Sequence, residues 1–98
     1  MKVVYGDRAL LDLDRPADFI LAQDILDPGE AIETIIEAIG VLGRSPFVGR
    51  PVLVAGRPFR ELVISYGKTG SVALYRVKRN AIEVLAIRHQ REAGYSDR

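Results

Sequence analysis

Apolar residues recur at helical spacing in the middle of the chain and at alternate positions in its second half. The helical stripe consists of Ile32, Ile35, Ile36, Ile39 and Leu42. It predicts an amphipathic helix with one buried face. Asp27 is placed to cap this helix, with Pro28 at its first position and Glu30 three residues after the cap. Gly43 and Pro46 are expected to end it.

Two further elements are predicted before this helix. Val3–Tyr5 is a short apolar run that predicts an opening strand. Residues 8–26 carry apolar positions mostly at helical spacing and predict a first helix. We expect a kink or restart at Pro16, because proline lacks an N–H and crowds the preceding turn. The short connection Asp27–Gly29 predicts that the two helices form an antiparallel hairpin.

The second half of the chain predicts three antiparallel strands. A loop rich in Gly, Pro and Arg is expected over residues 44–58. Strands are expected over residues 59–66, 71–77 and 82–89, with turns at 67–70 and at Arg79-Asn80. The predicted fold is α+β in the order β-α-α-β-β-β, with the helical hairpin packed on one face of a mainly antiparallel sheet. At 98 residues we expect a single domain, 1–98.

The turns set the expected strand register, and the register sets the two faces of the sheet. Tyr66 is expected opposite Ser71, and Val77 opposite Ile82. On this register the face under the helices carries Arg60, Leu62, Ile64, Ala73, Tyr75, Val77, Ile82, Val84, Ala86 and Arg88. The opposite face carries Glu61, Val63, Ser65, Val72, Leu74, Arg76, Glu83, Leu85, Ile87 and His89.

This opposite face is predicted to bind a partner. Arg76 is expected between Glu61 and Glu83 in a cross-strand charge ladder. The centre of the face is apolar and has no cover in the predicted fold. It consists of Val63, Val72, Leu74, Leu85 and Ile87. Because a contiguous exposed apolar patch usually marks a partner site, we expect a peptide or helix of another protein to dock there.

The charge of the chain is divided between its halves. Residues 1–43 carry three basic and nine acidic groups, whereas residues 44–98 carry eleven basic and four acidic groups. The halves could neutralise one another within the fold. Alternatively, the basic half binds an anionic partner, either nucleic acid or an acidic protein segment.

Composition narrows the class of protein. The chain contains no cysteine and one histidine, so neither a disulfide framework nor a thiolate metal site is possible, and we expect no metal and no cofactor. No apolar run approaches the roughly 20 residues of a membrane span, and Met1-Lys2 is not followed by a signal-peptide core. We expect a soluble, cytoplasmic protein.

Four segments of the chain, residues 46–51, 59–64, 72–77 and 87–95, read PFVGRP, FRELVI, VALYRV and IRHQREAGY. Together they resemble the ParE/RelE superfamily of toxins from bacterial type II toxin–antitoxin, or plasmid stabilisation, modules. The resemblance spans nearly the whole chain and agrees with the predicted element order. It implies a toxin that is neutralised by a cognate antitoxin, whose extended or helical segment wraps it.

The resemblance implies two alternative activities. RelE-like members are ribosome-dependent mRNA endoribonucleases, whereas ParE-like members inhibit DNA gyrase. RelE-type ribonucleases are similar in placing an arginine on the strand that corresponds to residues 71–77, and Val72 stands at that position. Since a valine cannot stabilise the charge of a phosphorane, and we expect no other cation at the centre of this face, the ParE-like reading is favoured.

The resemblance and the predicted faces together give the candidate site residues. Those expected to bind the target or the antitoxin are Arg60, Val63, Val72, Leu74, Leu85, Ile87, Arg88, His89, Arg91 and Tyr95. No catalytic set is assigned firmly. A ribonuclease would use Arg76 or Arg60 with His89, Arg91 and Tyr95. A third possibility is a degenerate member that binds its antitoxin and little else, and the free chain could dimerise through the apolar face.

Overall fold

A computed structural model of the chain describes residues 1–13, 28–66 and 69–89. Its helices are α1 (Asp7–Asp12) and α2 (Pro28–Gly40), and a 3-10 turn (Val41–Gly43) follows α2. Its strands are β1 (Lys2–Tyr5), β2 (Arg50–Val54), β3 (Arg57–Tyr66), β4 (Thr69–Val77) and β5 (Ala81–His89). The kink expected at Pro16 and the cap expected at Asp27 lie outside the described residues.

The five strands form one sheet in the order β1-β5-β4-β3-β2. β1 runs parallel to β5, and the remaining neighbours are antiparallel. The α+β class and the mainly antiparallel sheet are therefore confirmed. Within the described ranges, no helix is long and apolar enough to cross a bilayer.

β2 corrects the prediction of a continuous loop over residues 44–58. It pairs with the start of β3, where Pro51 lies opposite Arg60 and Leu53 opposite Pro58. Proline and glycine made this segment read as a loop. At the edge of a sheet, however, proline is tolerated, because one side of the strand needs no ladder hydrogen bond.

The helical stripe is confirmed, with its centre on Ile35 and Ile39. Both are fully buried, as is Leu42 in the 3-10 turn, whereas Ile36 is 46% exposed. These residues pack with α1 and one face of the sheet in a single core. The core residues are Ala9, Ala31, Ile35, Ile39, Leu42, Ile64, Ala73, Tyr75, Ile82, Val84 and Ile87.

The β3–β4 register differs from the prediction by two residues. Tyr66 lies opposite Thr69, not Ser71, because the strands continue closer to the turn than the Gly-Lys-Thr-Gly sequence indicated. A shift of two residues leaves each side chain on its predicted face. The prediction that Val77 lies opposite Ile82 is confirmed.

A β-bulge in β5 reverses the predicted faces at the end of that strand. Tyr75 pairs with Val84, but Leu74 pairs with Ala86, so Leu85 is the extra residue. Beyond it Ile87 enters the core, while Ala86 and Arg88 pass to the face away from the helices. The predicted placement of these three residues was therefore wrong, since strict alternation cannot anticipate an inserted residue.

Candidate partner-binding site

The outer face, meaning the sheet face opposite α1 and α2, is less open than its sequence predicted. Val63 is 45% exposed, whereas Leu74 is only 5% exposed. Val72 and Leu85 are half-buried, and Ile87 belongs to the core on the other side. The prediction of a continuous uncovered apolar centre is thus wrong, and its open part lies around Val63.

Arg88 lies on the outer face directly opposite Val72. The expectation that the centre of this face lacks a cation is therefore also wrong, and the bulge at Leu85 is the reason. The Arg88 residue is only 4% exposed. The outer face therefore carries a cationic residue opposite Val72, but this residue is buried and has little contact with solvent.

A buried carboxylate hydrogen-bonds β5 just beyond the bulge. Asp12, at the end of α1, is 1% exposed. Its Oδ2 accepts a hydrogen bond from the Ile87 N–H at 3.0 Å, and its Oδ1 lies 3.3 Å from Arg8 Nε. Sequence reasoning missed Asp12 because it looked like one more acidic residue of an acidic half. Its helical position beside Ala9, on the buried side, was the available signal.

The predicted charge ladder is confirmed on one side and wrong on the other. Arg76 Nε lies 2.8 Å from Glu83 Oε1, and Lys78 Nζ lies 3.5 Å from the same oxygen. The hydrogen bond from Arg76 lowers the pKa of Glu83 from its ordinary value. Glu61 pairs instead with Arg50 of β2 at 2.9 Å, because the two-residue register shift places it opposite Leu74.

Arg60 anchors the loop that precedes β2. Its Nη1 donates hydrogen bonds to the carbonyls of Phe47, at 3.2 Å, and Gly49, at 2.6 Å. Its guanidinium carbon lies 5.0 Å from the centre of the Phe47 ring, within cation–π range. This candidate binding residue therefore has a structural role within the chain.

Tyr75 also binds the backbone of this loop, from the sheet. Its buried hydroxyl donates to the Pro46 carbonyl at 2.8 Å and accepts from the Gly49 N–H at 2.9 Å. A side chain at Gly49 would lie 2.6 Å from both the Glu61 carbonyl oxygen and the Tyr75 hydroxyl, so only glycine fits without movement. We call residues 46–49 the clamped loop, because Arg60 and Tyr75 fix its backbone.

A depression of about 310 Å³ lies beside the clamped loop. It is lined by Phe47, Pro51, Pro58, Phe59, Arg60, Arg76 and Val77. Sequence reasoning missed it, because it forms where β2 meets β3 and β2 was expected to be a loop. The depression combines aromatic and proline surfaces with two arginine residues, a composition suited to binding an apolar group that has a negative neighbour.

The remaining candidates are not brought together by the described structure. The backbone of His89 pairs with Ser71 at the end of β5. Arg91 and Tyr95 lie outside the described residues. The alternative ribonuclease set of Arg76, His89, Arg91 and Tyr95 therefore stays a prediction.

Comparison with known proteins decides the family. The family model described as the ParE toxin of the type II toxin–antitoxin system parDE matches residues 3–94. This chain belongs to the ParE toxin family. The ParE-like branch of the predicted superfamily is thereby confirmed.

A solved structure agrees with this assignment. The chain is similar to a chain described as the chromosomal ParDE TA system from P. aeruginosa, with 26% sequence identity and a TM-score of 0.69. The match covers 91% of this ParE chain and 95% of the other. Among curated proteins, no relative matches.

Proposed function

We propose that this ParE-family toxin inhibits DNA gyrase by binding it, and that a cognate antitoxin neutralises it. The observation that carries the proposal is the match to ParE toxins over residues 3–94. The structural neighbour is described as a ParDE toxin–antitoxin system, which supports an antitoxin as the partner of this chain.

The chemistry of the outer face supports binding over catalysis. Scission of RNA through its 2′-OH needs a cation that reaches the phosphorane as negative charge develops. Val72 supplies none. Arg88, opposite it, is 4% exposed and so is poorly placed to meet a phosphate from solution.

The surface also suits protein partners. Phe47 and Leu53, on the clamped loop and β2, are 63% and 71% exposed, and Val63 on the outer face is 45% exposed. Aromatic residues and arginine are enriched at the cores of interfaces, and the Arg60 guanidinium carbon lies 5.0 Å from the centre of the Phe47 ring. Val63, Val72 and the candidates beyond β5 remain part of the proposed binding surface.

The test is a gyrase supercoiling assay run beside a translation extract probed for cleaved messages, with the same purified toxin. We expect loss of supercoiling, intact messages, and recovery of supercoiling when the cognate antitoxin is added. Cut messages with undisturbed supercoiling would contradict the proposal.

The position of Arg88 is the reason why the assay also tests for ribonuclease activity. Arg88 lies where a cation would face the position held by Val72. If messages are cut, Arg88 is the cation on the outer face that we expect to meet the phosphate. Its buried guanidinium would then have to become accessible when the toxin binds the ribosome. If neither supercoiling nor messages change, the chain is a degenerate member.

A further inference from the structure

Large apolar side chains are exposed at the end of the sheet where β2 meets β3. Leu53 is 71% exposed and Phe47 is 63% exposed. Leu53 lies opposite Pro58, and Pro58 lines the same depression as Phe47. Large side chains of this kind are usually buried, and grouped exposure marks a contact site.

The clamped loop makes this site rigid before any partner arrives. Arg60 and Tyr75 together satisfy the backbone carbonyls of Phe47, Gly49 and Pro46 and the N–H of Gly49. Phe47 is therefore presented by a fixed backbone. A preformed wall lowers the entropic cost of binding, because the loop does not have to be ordered when the partner docks.

The surroundings of the depression are cationic. Arg57 begins β3, and the turn that follows β4 carries Lys78 and Arg79; all three are exposed. Glu83, at the same end, is already held by Arg76 and Lys78. The field at this end of the sheet therefore favours a negatively charged segment.

We propose that the depression docks an extended acidic peptide segment of a protein partner, which inserts one large apolar side chain between Phe47 and Pro58. This inference deepens the proposed function and rests on it, since it assigns a surface and a partner chemistry to binding. The carboxylates of the segment face Arg57, Lys78 and Arg79.

Three observations favour a peptide over a nucleic acid. Five of the seven lining residues are Phe, Pro or Val, and the two arginines are already engaged, Arg60 by the clamped loop and Arg76 by Glu83. Its volume of about 310 Å³ is at the low end of the roughly 300–1,000 Å³ typical of ligand pockets, which suits one inserted side chain. β2 is also an edge strand, so its outer backbone can pair with an extended chain.

The experiment titrates the full ¹⁵N-labelled chain with a capped synthetic peptide that carries tryptophan at its centre and aspartate and glutamate on both sides. We expect amide shifts that concentrate at Phe47, Leu53 and Phe59 and that weaken as salt is added. Replacing the peptide's tryptophan by alanine, or its acids by lysine, should weaken binding at least about tenfold, as loss of an interface anchor does.

Phe47→Ala tests the wall of the site, and Leu11→Ala is its matched control. Both residues are apolar and similarly exposed, at 63% and 68%, but Leu11 lies on α1. Phe47→Ala should weaken peptide binding at least about tenfold, and Leu11→Ala should leave it within about twofold.

Three results would overturn the inference: no shifts, shifts centred on Val63, or equal binding of the acidic and lysine peptides. Tighter binding of a short oligothymidylate would assign the site to nucleic acid and would also overturn it. Supercoiling inhibition is measured on the same preparation. A failed peptide titration with intact inhibition therefore removes only this inference and leaves the proposed function standing.

Discussion

At the scale of single residues, Asp12 links a helix to an irregularity of the sheet. β1 pairs with β5 only as far as Val84, and the Asp12 carboxylate accepts the Ile87 N–H three residues further on, just past the bulge at Leu85. Since a buried N–H without an acceptor is costly, this one side chain helps to fix which face Ile87 and Arg88 occupy.

Asp12→Ala is expected to destabilise the fold by about 1–3 kcal/mol, because it removes a charged acceptor from a buried N–H. Urea unfolding monitored by circular dichroism measures the change. Asp7→Ala is the matched control, since Asp7 begins the same helix and is exposed. Equal unfolding midpoints for the two variants would show that Asp12 does not support the bulge.

Sequence reasoning at this scale succeeded where partners are close along the chain. Arg76 and Glu83 flank one tight turn, so the pair followed from the hairpin. Glu61 was assigned the wrong partner. Its actual partner, Arg50, begins β2, and the proline in that segment had indicated a loop instead of a strand. Tyr75 and Arg60 were placed on the correct face. Their hydrogen bonds to residues 46–49 depend on a loop path that alternation does not encode.

At the scale of elements, the buried side of α2 is narrower than its apolar stripe. Ile35 and Ile39 are fully buried, while Ile36, between them in sequence, is 46% exposed. Five apolar residues at helical spacing predicted the helix but not which of them face the sheet. That depends on the rotation of the helix about its axis.

Ile35→Ala is therefore expected to cost about 2–5 kcal/mol of unfolding free energy, through lost burial and the cavity that remains. Ile36→Ala, one position away in the same helix, should change it by about 1 kcal/mol or less. Urea unfolding of both variants gives the comparison. Similar losses at the two positions would mean that the helix presents a different side to the sheet.

The β4–β5 hairpin carries a pH-sensitive contact. The hydrogen bond from Arg76 lowers the pKa of the Glu83 carboxyl in the folded protein. The contact therefore contributes its stability above the ordinary carboxyl pKa and loses it as the pH falls through the lowered folded value. Because the pair lies at the surface, its worth is about 0.2–1 kcal/mol.

Glu83→Gln should accordingly be less stable than the native chain near neutral pH, and the two should converge as the pH falls below the lowered pKa. Urea unfolding at a series of pH values measures this difference. Glu33→Gln, on the exposed side of α2, serves as the control and should show no such convergence. A gap between Glu83→Gln and native that persists in acid would contradict the assigned role.

At the scale of the whole molecule, the sequence was sufficient for the fold class and the family. The β-α order, the hairpin turn at residues 79–80 and the four resembling segments all point to the arrangement that is observed. The edge strand β2 and the bulge in β5 were not predictable from alternation. Both are departures from regular pattern that tertiary contacts stabilise.

These two departures also reshape the candidate site. The bulge moves Arg88 to the outer face and Ile87 into the core, and β2 builds the depression beside the clamped loop. The surface open to partners therefore lies partly around Val63 and partly at the end of the sheet that contains Phe47 and Leu53. We expect the antitoxin and the target of the toxin to make their contacts in these two regions.

We propose that this ParE-family toxin acts on its target by binding and leaves RNA intact. Plasmid topology and message integrity, measured in the same culture after induction of the toxin, test it most directly. We predict that plasmid DNA loses negative supercoils while messages keep their full length, and that co-expression of the antitoxin restores supercoiling. Cut messages, with plasmid supercoiling unchanged, would contradict it.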